Sequence, residues 1–151
     1  MTSSFSFDAN SDAANSPQKP LADMSMLIVE DQFLVAVGIE KTFRLAGASD
    51  VTLVGNMEDA WEAVANEHFD AALLDIRLPD GYSFPLAIEL FSKGMPVVMH
   101  SGHAEIYHSA RLPGVIFCPK PATPAEIVRS VLKAKQFMLF PESPILEETL
   151  H

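Results

Sequence analysis

Residues 24–55 read MSMLIVEDQFLVAVGIEKTFRLAGASDVTLVG. Met26-Leu27-Ile28-Val29 is apolar without alternation, the pattern of a strand covered on both faces. Val35, Ile39, Phe43 and Ala46 then recur at helical spacing, and Gly47 stands where a C-terminal cap belongs. Val51 to Gly55 is again short and apolar. Strand, helix and strand in this order make a βαβ unit, whose strands run parallel because a helix returns the chain to the same end of the sheet.

The same alternation continues outward. Met57 to Asn66 is expected to be a second helix with Ala60, Trp61 and Val64 on its buried side, and Ala71 to Leu74 a third strand. Pro79-Asp80-Gly81 is a turn, and Pro85 to Lys93 a third helix ending at Gly94. Pro96 opens a fourth strand, Val97-Val98-Met99, and Ala104 to Arg111 leaves room for a short helix. Val115-Ile116-Phe117 is the fifth strand. Thr123-Pro124-Ala125-Glu126 combines a capping box with proline at the first helical position, and Ile127, Val128, Val131, Leu132 and Met138 supply the apolar face that follows. Five strands alternating with about five helices imply a doubly wound α/β fold, a parallel sheet with helices on both faces. Residues 24–140 would form this domain. Residues 1–23, rich in Ser, Asn, Asp, Ala and Pro without periodicity, read as a flexible tail, and 141–151 as a C-terminal tail.

Composition narrows the function classes. The 151 residues are 48% hydrophobic, with 20 acidic and 10 basic side chains and a net charge of −10. Such a surface repels phosphate backbones, so nucleic acid is not an expected partner. Cys118 is the only cysteine, which excludes an internal disulfide and makes a reducing, cytoplasmic compartment the expectation. No apolar run approaches the roughly 18 residues of a membrane span, and no signal peptide is apparent.

In open α/β sheets ligands bind beyond the carboxyl ends of the strands. Glu30 and Asp31 follow the first strand, Asp75 the third, Ser101 the fourth and Lys120 the fifth. Carboxylates converging in one crevice repel by roughly 4 kcal/mol per pair at about 4 Å and an effective dielectric of about 20, so a cation is required. An all-oxygen donor set suits Mg²⁺, and a carboxylate beside Mg²⁺ can attack a phosphoryl group. Lys120 would neutralise the transferred oxygens and the Ser101 hydroxyl would donate to one of them.

Val29-Glu30-Asp31, Leu74-Asp75-Ile76-Arg77-Leu78-Pro79-Asp80-Gly81, His100-Ser101-Gly102 and Lys120-Pro121 together resemble the response-regulator receiver family of two-component signalling. The resemblance spans about residues 25–138. It implies a flavodoxin-like (βα)5 fold with strand order 2-1-3-4-5. It also implies Asp75 as phosphoacceptor, Glu30 and Asp31 as the acidic metal pair, and a backbone carbonyl at Arg77 completing the Mg²⁺ shell. Ser101 becomes the switch hydroxyl, Lys120 the phosphoryl-contacting lysine, and Phe117 the aromatic coupled to the switch. A cis Lys120–Pro121 bond is implied as well. The donor would be a histidine kinase or a phosphotransfer protein. With only about ten residues after the last helix, output would run through protein–protein binding or phosphorelay. Catalysis would be limited to the domain's own Mg²⁺-dependent phosphorylation and dephosphorylation.

This chain departs from the family in places. Eighteen residues separate Ser101 from Lys120, which shortens the fourth-helix region, and Phe117 lacks the hydroxyl of a tyrosine. A receiver-like binding module that works without phosphorylation is the alternative function. An aspartyl-phosphate phosphatase is disfavoured, because Arg77 stands where those enzymes carry a second Asp. His100, His103 and His108 could suggest a transition-metal site but lack a fourth ligand. His103 is instead expected to tune water access to the phosphoryl group. Cys118 reads as a small buried hydrophobe. Phe137-Met138-Leu139-Phe140 reads as core packing, with an exposed patch for a homodimer or partner as the other reading.

Overall fold

A computed structural model describes residues 19–141. The tails expected over 1–18 and 142–151 lie outside the described residues. Residues 19–23, placed by the sequence reading in the N-terminal tail, include Leu21. Its side chain is fully buried and its N–H donates to the Ala46 carbonyl at 2.9 Å.

The strands and helices alternate as the periodicity predicts. In chain order they are β1 (Ser25–Val29), α1 (Phe33–Leu45), β2 (Asp50–Val54), α2 (Met57–Asn66) and β3 (Ala71–Leu74). Then come a ribbon of β4 (Arg77–Leu78) and β5 (Gly81–Tyr82), α3 (Phe84–Ser92), β6 (Val97–Ser101), α4 (Ala104–Ala110), β7 (Ile116–Pro119) and α5 (Pro124–Leu139). The main sheet has five parallel strands in the order β2-β1-β3-β6-β7. Counting only these five, the order is 2-1-3-4-5, the flavodoxin-like arrangement.

The unbroken apolar runs resolve into period-two alternation between two helical layers. Met26, Ile28, Ala71, Leu73, Val98, Ile116 and Cys118 face the core made with α1 and α5. Leu27, Val29, Ala72, Leu74, Val97, Met99 and Val115 face the opposite core, with α2, α3 and α4. A strand covered on both sides has no polar face, which is why its sequence does not alternate.

Local details follow from capping and size. Gly47 adopts φ +109° just beyond α1, and its N–H donates to the Arg44 carbonyl at 3.0 Å. The Thr123 and Glu126 capping box forms on both sides, at 3.1 Å and 2.8 Å. Trp61 departs from expectation. α2 buries the stripe Met57, Ala60 and Ala63, whose small residues let the helix approach the sheet, while Trp61, one residue round the helix, is 39% exposed. Leu132 likewise faces outward, and α5 packs through Ile127, Ser130, Val131 and Ala134. β6 and β7 run further than predicted, through Ser101 and Pro119, because His100 and Ser101 stay in register with Cys118 and Pro119. The fourth-helix region is short, seven residues ending at Arg111 with φ +54°. The Phe137–Phe140 segment divides. Phe137 packs on Phe91 with ring centroids 5.7 Å apart, while Leu139 and Phe140 are exposed.

Candidate functional site

The parallel sheet ends all its strands on one edge, and the polar residues that follow them meet there. Backbone bonds carry the ladder to the rim: Glu30 N–H donates to Val54 O and Asp75 N–H to Val29 O, both at 2.9 Å. One carboxylate oxygen from each of Glu30, Asp31 and Asp75 lies within 4.8 Å of the others. Asp31 is exposed, whereas the Glu30 side chain is fully buried and that of Asp75 is 12% exposed.

Lys120 reaches in from the end of β7. Its Nζ lies 2.7 Å from Glu30 Oε1 and 3.1 Å from Asp75 Oδ2, so one ammonium bridges two buried carboxylates. The remaining oxygens are also engaged. Glu30 Oε2 accepts from Gln32 N–H at 3.0 Å and Asp75 Oδ1 from Ile76 N–H at 2.7 Å. Burial pushes the Glu30 carboxyl above its ordinary range, against the lowering pull of Lys120 and Gln32. Burial also pulls Lys120 downward, but its bonds to Glu30 and Asp75 outweigh this and hold its pKa above the usual lysine value.

The donor set fits a hard divalent cation. Three carboxylates bring three negative charges and Lys120 returns one, which leaves two to balance. The donors are all oxygen, as Mg²⁺ prefers. Among the described residues no His or Cys joins this cluster, so the transition-metal reading of His100, His103 and His108 finds no support in it. His100 is instead buried, with Nδ1 2.8 Å from the Cys118 carbonyl. Cys118 is buried as well, and desolvation raises its thiol pKa.

Ser101 is fully buried at the end of β6, and its Oγ accepts the His103 N–H at 3.2 Å. Its carbonyl accepts the Lys120 N–H at 3.0 Å, which ties the two strand ends together. Phe117 pairs with Met99 and Pro119 with Ser101, so period two sets Phe117 and Ser101 on the same sheet face. Phe117 is half-buried and stacks on Tyr107 of α4, with centroids 4.7 Å apart and planes at 17°. Tyr107 Oη donates to the Val115 carbonyl. The Lys120–Pro121 bond is cis.

A model of the response regulator receiver domain matches residues 26–132. The chain belongs to the response regulator receiver domain family. Solved structures similar to it point the same way. A response regulator receiver protein from Sinorhizobium medicae WSM419 is 28% identical, covers 78% of this chain and 98% of its own, and superposes with a TM-score of 0.67. SdrG from Sphingomonas melonis Fr1 is 26% identical, with 74% and 95% coverage and a TM-score of 0.65. The PhyR receiver domain from Erythrobacter litoralis, at 22% identity, 83% and 97% coverage and a TM-score of 0.69, shares the fold. Comparison with curated proteins found no match.

The sequence reading of this receiver domain missed several contributors. Arg77 is exposed and lies in the β4–β5 ribbon, paired with Tyr82, where only a turn was expected. Ser83 is fully buried. Its Oγ donates to the Asp75 carbonyl and its N–H to the Ile76 carbonyl at 2.9 Å, closing the base of the loop after Asp75. Asp80, at the ribbon's turn, accepts from the N–H groups of Met57 and Glu58 at 2.8 Å and 3.0 Å. The turn residues Pro79-Asp80-Gly81 were the signal for this reversal, but strands of two residues leave no periodicity to read. Nothing in the sequence pointed to the partner of Asp80 on α2 or to the Tyr107–Phe117 stack.

Among the described residues, no helix is long and apolar enough to cross a membrane.

Proposed function

We propose that this receiver domain is a phosphorylation switch in which Asp75 accepts a phosphoryl group from the phosphohistidine of a histidine kinase or phosphotransfer protein, with Mg²⁺ as cofactor. The observation that carries this is the bridge of Lys120 across Glu30 and Asp75, with Asp31 and Ser101 beside it. One ammonium lies between a carboxylate of the proposed metal pair and the proposed nucleophile on one sheet edge.

Glu30, Asp31 and Asp75, with the main-chain carbonyl of Arg77, are the residues that would hold Mg²⁺. A bound Mg²⁺ supplies charge neutralisation for the phosphoryl oxygens and the carboxylates. An oxygen of Asp75 attacks phosphorus, the new O–P bond forms, and the P–N bond to the donor imidazole breaks. Lys120 moves from the carboxylate pair to the arriving phosphoryl oxygens, a shift its flexible stem allows. Ser101 donates its hydroxyl to the same group, and the space it leaves on its sheet face lets Phe117 turn inward from its stack on Tyr107. The face built by α4, β7 and α5 then changes its affinity for a protein partner. The net charge of −10 fits a protein target better than nucleic acid. At the rim of the site, Phe33, Leu34 and Val37 of α1 are 71%, 83% and 37% exposed, an apolar surface suited to a protein donor. Such a switch operates in the cytoplasm, beside its kinase.

The deciding experiment is incubation with acetyl phosphate and Mg²⁺, followed by intact-mass measurement. One phosphoryl group should be gained, and the gain should vanish with chelator or with Asp75→Asn. No gain, or one that survives Asp75→Asn, refutes this function and favours a binding module that works without phosphorylation.

A further inference from the structure

The loop that follows Asp75 is held at two ends. At its base, Ser83 closes on the Asp75 and Ile76 carbonyls. Between base and tip, Arg77 and Leu78 pair with Tyr82 and Gly81 in a ribbon of two residues per strand. A ribbon this short is not stable alone. Its turn is Pro79-Asp80, and the Asp80 carboxylate spans the first two N–H groups of α2: Oδ1 takes Met57 and Oδ2 takes Glu58. These donors lack partners within their own helix, so the acid satisfies them and lies at the positive end of the helix dipole. The Met57 N–H does most to hold the Asp80 carboxyl below its usual range.

α2 already has a local cap. Asn56 Oδ1 accepts the Asp59 N–H at 2.7 Å. Asp80 is therefore not the only end to this helix, and its distinctive effect is to fasten the ribbon. We propose that Asp80 is a positioning residue for the acceptor site: tying the ribbon's tip to α2 confines the Arg77 carbonyl to where the proposed Mg²⁺ shell needs it, an inference that rests on the function proposed above.

The test compares Asp80→Ala with two changes at the same helix end. Asn56→Ala removes the local cap and keeps the tether, and Glu58→Gln removes a nearby negative charge and keeps both. Mg²⁺ affinity is measured on the full chain by calorimetry, and amide exchange of residues 77–82 on the metal-free protein. Asp80→Ala should weaken Mg²⁺ about tenfold, at the lower end of what removing a ligand-orienting group does, while the other two stay within about twofold. It should also speed ribbon exchange, which Asn56→Ala should leave unchanged. Asp80→Asn, which keeps one acceptor oxygen, should fall between, and it takes the place of the alanine variant if that fails to fold. Unchanged affinity in the Asp80 variants, or an equal loss in Asn56→Ala or Glu58→Gln, overturns the proposal. Wild-type protein that takes up no Mg²⁺ overturns the metal reading itself. Ribbon exchange, read without metal, separates the two failures: if Asp80→Ala leaves it unchanged, Asp80 does not hold the ribbon.

Discussion

Replacing Lys120 by Met keeps most of the side chain's volume and removes the one charge that bridges Glu30 and Asp75. The Glu30 side chain has no solvent exposure, that of Asp75 is 12% exposed and that of Lys120 22%. Removing one partner of a buried ion pair costs about 3–5 kcal/mol, and the partial exposure of Lys120 and Asp75 places this case near 3 kcal/mol. For a chain of this size such a loss lowers the melting temperature by roughly 6–12 °C. Mg²⁺ should then reverse much of the loss. At about 100 times its dissociation constant a ligand adds about 2.7 kcal/mol, and in the variant no ammonium has to leave the carboxylates first. The measurement is thermal unfolding by circular dichroism for wild type and Lys120→Met, each in chelator and in excess Mg²⁺. The expected pattern is a wide gap without metal and a larger Mg²⁺-induced rise for the variant. A metal-free variant that melts with the wild type would show that Lys120 does not hold the carboxylates together. Melting temperatures that Mg²⁺ leaves unchanged in both proteins would show that the carboxylates do not form a cation site.

Gly114 has φ +89°, and a methyl group there would run into the rings of Phe91 and Phe137. Gly114→Ala should cost about 3 kcal/mol, combining left-handed backbone strain with overpacking, and urea unfolding would measure it; a loss under about 1 kcal/mol would mean the two rings move aside freely. Burial, against the bond to the Cys118 carbonyl, lowers the pKa of His100 below the ordinary imidazole range. A depressed folded-state pKa means the unfolded chain takes up the proton first, so stability is full above pH 6.5 and falls as pH drops through the folded value. Urea titrations at stepped pH should show this slope in wild type and a flatter one in His100→Gln, and parallel curves would contradict it.

Where the sequence was legible, a local rule decided the outcome. The Thr123–Glu126 capping box, the left-handed Gly47 and the apolar strand runs depend on near neighbours, and each forms where it was read, the strands within a residue or two at their ends. The convergence of Glu30, Asp31, Asp75 and Lys120 was legible because a parallel sheet delivers every strand's end to one edge, so position after a strand is enough to predict it. Trp61 and Leu132 were misplaced because helical spacing sets a direction but not the width of the buried stripe. How closely a helix approaches the sheet is set by its small residues, here Ala60 and Ala63, and by what lies opposite.

By itself the sequence determined the doubly wound fold, the meeting of Glu30, Asp31 and Asp75 at one sheet edge, and the place of Lys120 beside them. Only the tertiary structure decided how these groups are engaged. Lys120 bridges two acids from strands 90 and 45 residues away, Tyr107 lies flat on Phe117, and Asp80 closes on a helix 23 residues earlier in the chain. Periodicity and capping act over a few residues and are written into the chain locally. Pairings between distant residues depend on how far each loop reaches once the layers have packed, and no local pattern encodes that distance.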